Sequence, residues 1–213
     1  MLRQTLIYLS KQQRINDFVC TNPLASRVAS RFVAGDTLDT AVAAVRRLGA
    51  SGITATLDML GESVSTEAEA EAAVAGAISI LDRIAAERLP ANLSIKLTQL
   101  GFDLDATRFG LNIRRILDTA KRLGIFVRID MEGSEHTQRT LDLFEKELHP
   151  VYGDGVGIVL QAYLRRCAAD IDRMVAAKAK VRLCKGAYSE PATVAFPDKR
   201  DIYPGFVHKT TRW

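Results

Sequence analysis

Apolar and polar positions along this chain follow two alternating rhythms, one with a helical period and one with a period of two. The helical rhythm opens the sequence. Leu6, Leu9 and Gln13 followed by Phe18 give a loose stripe that Asn22-Pro23 breaks. A second helix is predicted from about Thr37 to Leu48, with Asp36 before it, Leu38, Val42, Val45 and Leu48 on one face, and Gly49 at its end. From Gly52 short β-type runs begin to alternate with helices. Ile53 to Leu60 is the first run, and Ser65 or Thr66 then caps a long helix whose first turn carries Glu67, Glu69 and Glu71. Its apolar face is Val74, Ile78, Leu81 and Ala85.

The alternation continues. A strand from Leu93 to Thr98 precedes a helix with Ile113, Ile116, Leu117 and Ala120, stopped by Gly124. A strand from Ile125 to Met131 precedes a helix bearing Thr137, Leu141, Phe144 and Leu148. Gly157 to Ala162 leads to a helix around Asp170 to Ala179, and Val181 to Ala187 closes the series. The run Gly153 to Gly157 precedes a strand instead of following one, so it reads as a turn and not as a dinucleotide fingerprint. Strands separated by single helices define right-handed βα units on a parallel sheet.

A doubly wound sheet and a barrel both satisfy that order, and strand parity chooses between them. Leu93, Ile95 and Leu97 share one face of their strand while Ser94, Lys96 and Thr98 share the other. Val127 and Ile129 oppose Arg128 and Asp130, and Ile158 and Leu160 oppose Val159 and Gln161. Strands covered by helices on both faces read as near-continuous apolar runs. Charges on one parity of several strands therefore favour a (βα)8 TIM-barrel type of fold, whose inner face takes polar groups near the C-terminal ends. Only about five βα units are present, whereas a full barrel takes about 250 residues. The expected organisation is an N-terminal helical segment over 1–50, an incomplete βα barrel over 51–191 and an atypical tail over 192–213.

Composition narrows the function classes. Net charge is +4, but the 29 basic and 25 acidic residues are interspersed, and no Lys/Arg run exceeds two residues, so nucleic-acid binding is not expected. Cys20, Cys167 and Cys184 have no metal or disulfide spacing, and His136, His149 and His208 form no close pair, so no metal site is expected and a cytoplasmic setting is. The N-terminus lacks the apolar run of a signal or a membrane span. Polar residues near strand ends are Asp58, Lys96, Asp130, Gln161, Arg182 and Lys185. With three cations and no Ser/His or Cys/His pair, the set suits an anionic substrate or an electron-rich cofactor. From the residues alone, a Schiff-base aldolase using Lys96 or Lys185, or a non-catalytic interaction module, stays open.

Four segments at consecutive strand ends carry a resemblance. Ser94-Ile-Lys-Leu-Thr-Gln-Leu-Gly101, Val127-Arg-Ile-Asp-Met-Glu132, Val159-Leu-Gln-Ala-Tyr163 and Val181-Arg-Leu-Cys-Lys-Gly-Ala-Tyr188 closely resemble the proline dehydrogenase family, in the family's order. Thr56-Leu-Asp-Met-Leu-Gly-Glu62 is similar to its first strand and turn, and the likeness covers roughly 31 to 200. The resemblance implies oxidation of L-proline to Δ1-pyrroline-5-carboxylate, with hydride transfer to FAD and electrons passed to a quinone, hence a cytoplasmic protein with transient contact at the inner membrane. It implies that Lys96 holds the substrate carboxylate, that Asp130 orders the cationic network, and that Arg182 lies near flavin N5. Met131, Gln161, Lys185, Gly186 and Ala187 are then flavin-contacting positions, and Tyr188 lines the site. The family's arginine pair on its last helix has no counterpart, because Arg165-Arg166 follows the fourth strand. The expectation is a weakly active or inactive fragment that associates with itself, or with a complementary fragment, through open sheet edges.

Overall fold

The structure, a computed structural model, describes residues 37–198 and 200–202. The stripe from Leu6 to Phe18 and the tail beyond Ile202 lie outside the described residues. The chain divides into two compact units, Met1–Ile53 and Thr54–Trp213.

In the first unit, helix α1 (Leu38–Ala50) starts where Thr37 and Thr40 cap each other's backbone amides. Val42 and Val45 are buried, but Leu48 is 41% exposed, so the expected apolar face is confined to the middle of the helix.

The second unit is built on a parallel sheet with strands in sequence order: β1 (Ala55–Asp58), β2 (Ala91–Ile95), β3 (Val127–Ile129), β4 (Val156–Gln161) and β5 (Lys180–Cys184). The helices between them are α2 (Glu67–Glu87), α3 (Ala106–Leu123), α4 (Ser134–Leu143), the short α5 (His149–Tyr152) and α6 (Cys167–Ala176). Register explains the core. Leu57, Leu93, Val127 and Val156 align across the sheet, as do Ile95, Ile129, Ile158 and Val181. Leu57, Leu93, Ile95, Val127, Ile129, Val156 and Ile158 are all buried. Each such side chain contributes about 1.5–3 kcal/mol by leaving water. The other parity aligns Asp58, Ser94, Arg128, Gly157 and Lys180, so the polar residues share one face.

Helix α2 is capped by Thr66, whose hydroxyl accepts from the Glu69 amide while the Glu69 carboxylate accepts from that of Thr66. Its buried face is Ala70, Ala73, Val74, Ala77, Ile80, Leu81 and Ile84, and the expected Ile78 and Ala85 are only half-buried. Small residues turn the helix inward because they permit a close approach: a side chain at Gly76 would strike the Met59 sulfur. In α3 the four expected residues Ile113, Ile116, Leu117 and Ala120 are buried, and Gly124 ends the helix in the left-handed region at φ 68°. Thr137, Leu141, Phe144 and Leu148 are buried as one face, although the helix loosens to a π turn over Phe144–Leu148.

The strands are shorter than their β-type runs. After β2 the chain turns helical at Leu97 (φ −69°, ψ −36°) and enters a 3-10 turn at Thr98–Leu100. After β5, Gly186 adopts φ 112°. Lys96, Asp130, Lys185, Gly186 and Ala187 therefore sit just beyond strand ends, at the C-terminal mouth of the sheet. β4 is buried on both parities. Its inner face is filled because Phe126 packs directly against Gly157, where a side chain would collide with the ring.

Candidate active site at the C-terminal mouth

The polar parity of the strands is where the site forms, because alternate side chains of every strand converge there. Asp130 is its centre. The same carboxylate oxygen accepts from the Ser94 hydroxyl at 2.6 Å and from Arg182 Nη2 at 2.6 Å. The backbone amide of Asp130 donates to Ile95 at 2.9 Å, which extends the β2–β3 pairing past the end of β3 and fixes the side chain's height. Ser94 is 2% exposed, the Asp130 side chain 19% and the Arg182 side chain 43%, so the pair grades from a buried anchor to an open cation.

One strand away, Lys96 Nζ donates to Asp58 at 2.8 Å. Burial pulls the Lys96 ammonium downward, but the Asp58 hydrogen bond and the nearby charges of Asp130 and Glu62 outweigh it, and the pKa rises above its usual value. Burial also dominates at Asp58, where it exceeds the pull of Lys96 and, aided by Asp130, raises the carboxyl. The lysine is thus held as an ammonium.

Behind Asp130, Arg128 stacks on the Phe126 ring at 4.9 Å, and its Nε and Nη1 are buried with no hydrogen-bond partner among the described residues. Burial lowers its pKa, and the approach of Arg182 lowers it further against the opposing pull of Asp130. One carboxylate therefore faces two guanidinium groups on this side of the mouth.

The remaining predicted residues surround this centre. Gln161, 3% exposed, donates to the Glu132 carbonyl at 2.8 Å and to that of Met131 at 3.3 Å, tying β4 to the end of β3. The Lys185 carbonyl accepts from the Tyr163 amide at 2.9 Å. Gly186 lies against the Tyr163 ring, where any side chain would collide with it. The Tyr188 hydroxyl donates to Glu62 at 2.9 Å, bringing the loop after β5 to the loop after β1. Burial, followed by Glu62, raises the Tyr188 pKa. The chain then returns: Glu190 accepts from the Ser134 amide and hydroxyl, and Phe196 donates to the Tyr163 carbonyl at 2.9 Å. Lys96, Asp130 and Arg182 thus share one charged network, and Gln161 braces the adjoining strand end.

Sequence reasoning passed over Ser94, Thr98, Glu132 and Glu62 as site residues. All four lie in the segments that carry the resemblance, and the signal for Ser94 was its parity with Lys96 and Thr98. Two clefts of about 550 and 700 Å³ lie elsewhere, in the helical layer, the first between α2 and α3 and the second between α3 and the α4–α5 region. Neither includes a residue of the mouth.

A curled parallel sheet with helices outside and charged side chains gathered at its C-terminal mouth has the layout of a βα barrel. The comparisons agree. The proline dehydrogenase family model matches residues 41–204, and the chain belongs to that family. It is similar to proline dehydrogenase 1 of Bacillus subtilis subsp. natto, 41% identical over 201 residues, covering 94% of this chain and 65% of the relative. It is also similar to proline dehydrogenase of Deinococcus radiodurans, 37% identical over 178 residues, covering 82% of this chain and 57% of the relative. Among solved structures, proline utilization A from Bdellovibrio bacteriovorus, inactivated by N-propargylglycine, superposes with a TM-score of 0.77 at 23% identity. That superposition covers 87% of this chain and 24% of the other. The chain thus spans just under two thirds of the length of its Bacillus relative.

Proposed function

We propose that this chain forms the substrate- and flavin-facing part of a proline dehydrogenase site, for oxidation of L-proline to Δ1-pyrroline-5-carboxylate. The observation that carries the reading is the Asp130–Arg182 pair at the mouth, with Lys96 held as an ammonium one strand away. FAD, when bound, supplies the acceptor for the hydride that leaves the proline ring carbon next to nitrogen. The donor set fits that group, since a partly exposed guanidinium fixed by a carboxylate suits a cofactor that becomes electron-rich on reduction.

The residues present divide the work. Lys96 attracts the substrate carboxylate, and its raised pKa is opposite to what a Schiff-base amine requires, which disfavours the aldolase reading. Asp130 holds Arg182 in position and offsets part of the charge that Arg128 adds. Met131, Gln161, Lys185, Gly186 and Ala187 would hold the cofactor, with Gly186 giving the backbone its positive φ. Tyr188 covers the substrate side of the mouth.

The electron acceptor in this reading is a quinone, met at a membrane surface by a cytoplasmic protein. No described helix is long and apolar enough to cross a membrane. β1 and β5 each pair with a single strand among the described residues, which favours self-association or pairing with a complementary chain. The test is anaerobic mixing of the FAD-treated chain with L-proline. Loss of the visible flavin absorbance with L-proline and not with D-proline is expected. Absence of FAD uptake, or equal bleaching by both enantiomers, would contradict the assignment.

A further inference from the structure

Glu132 is a carboxylate that the proposed reaction does not use, yet it is 4% exposed at the rim of the mouth. Burying a carboxylate is unfavourable unless its oxygens find donors. Both oxygens of Glu132 are taken by one residue of the neighbouring strand end: Oε1 accepts from the Thr98 amide at 3.1 Å, and Oε2 accepts from the Thr98 hydroxyl. That hydroxyl in turn accepts from the Ser63 amide at 2.9 Å. Ser63 has φ 56°, a left-handed conformation that is unfavourable for a non-glycine residue and persists where surrounding contacts hold it. On the other side, the Glu132 carbonyl accepts from Gln161 at 2.8 Å. A single residue therefore links the loop after β1, the ends of β2 and β3, and the end of β4.

We propose that Glu132 is a positioning residue for the mouth, acting through Thr98 on Lys96 and through Gln161 on the end of β4. Thr98 lies two residues beyond Lys96, and Glu132 two beyond Asp130, so the Thr98–Glu132 contact joins the two chain segments that follow the charged groups. Where the chain leaves β2 it turns at Leu97, and Thr98 is the first residue after that turn to be tied down. The turn is also held by the Leu100 and Phe102 amides on the Leu97 carbonyl, but the Glu132 tie is the one that joins it to the end of β3, and its loss lets Lys96 shift relative to Asp58. The inference rests on the proline dehydrogenase reading only for what Lys96 does, and not for the geometry.

The test has two independent readouts. The first is the titration of Lys96 in the whole chain, measured by pH-dependent competitive acetylation and mass spectrometry, with no flavin present. Thr98→Val removes the hydroxyl at constant shape, Glu132→Gln removes the charge, and Thr98→Ser keeps the hydroxyl. The Lys96 midpoint is expected to fall by about one pH unit in Thr98→Val and Glu132→Gln and to return to the wild-type value in Thr98→Ser. Should Thr98→Val fail to fold, Glu132→Gln carries the comparison, since it keeps volume and one acceptor. The second readout is FAD affinity by fluorescence quenching, expected to weaken about ten-fold in the first two variants. Folded variants with an unchanged Lys96 midpoint overturn the proposal. If the wild-type chain takes up no FAD, the flavin reading fails while the Lys96 titration still decides the role of Glu132.

Discussion

Replacing Asp130 by alanine removes the one acceptor shared by Ser94 and Arg182. Three effects add. The Arg182 pair is partly exposed, so solvent screening limits its loss to about 1 kcal/mol. Ser94 is almost fully buried, and its remaining acceptor is the Arg128 carbonyl at 3.5 Å, so a second loss of about 1 kcal/mol follows. Arg128 and Arg182 are then left facing each other without the intervening charge, which brings the total to about 2–3 kcal/mol. For a chain of this size that corresponds to a melting temperature lower by about 5–10 °C. Circular dichroism melts of wild type, Asp130→Ala and Asp130→Asn measure it, with the asparagine variant intermediate because its amide oxygen still accepts from Ser94. FAD affinity should fall at least about ten-fold in Asp130→Ala, since Arg182 loses its aim. A melt within 1 °C or so of wild type, together with unchanged FAD affinity, would refute the placing of Asp130 at the centre.

Three further outcomes follow from the same geometry. Gly186→Ala combines a strained φ of 112° with a collision against the Tyr163 ring, so a stability loss of about 2 kcal/mol or more is expected in urea unfolding, and wild-type stability would contradict the packing. Burial raises the Cys184 thiol above its ordinary value, outweighing the opposing backbone hydrogen bond from Gly186 and the charge of Arg182. Its thiolate therefore appears at higher pH than that of a free thiol, and iodoacetamide labelling of Cys184 should accelerate later along a pH series than labelling of a cysteine peptide. Steady-state oxidation of L-proline by the purified 213-residue chain, read with a dye acceptor, should be slow even where single-turnover reduction of the flavin is seen, and robust turnover would contradict the expectation that further carboxylate-binding groups are required.

Much of the fold was legible because strands and helices here have simple periods. Parity places Ser94, Arg128 and Asp130 on one face, and the pairing of Ser94 with Arg128 across the sheet and the Ser94–Asp130 hydrogen bond agree. Caps were equally readable, since Thr66 with Glu69 and Gly124 act locally. Other features were hidden. Strand ends depend on backbone turns at Leu97 and Gly186 that β-propensity does not encode, so the runs looked longer than the strands. The inward face of α2 follows alanines, whose small size registers weakly in a hydrophobic pattern but permits close packing. Of the site, the residue types at strand ends could be named, but their pairing could not. Asp130 with Ser94 and Arg182, and Tyr188 with Glu62, are contacts between distant segments that only the folded sheet creates.

The central claim is that this charged mouth, with Arg182 at its open side, holds a flavin. Titrating FAD into the purified chain and into Arg182→Met, with Arg114→Met on the outer helix α3 as control, tests it most directly. The account predicts saturable quenching of flavin fluorescence in wild type and Arg114→Met, weakened about ten-fold or more in Arg182→Met. Binding that is absent from the wild-type chain, or indifferent to Arg182, would contradict it.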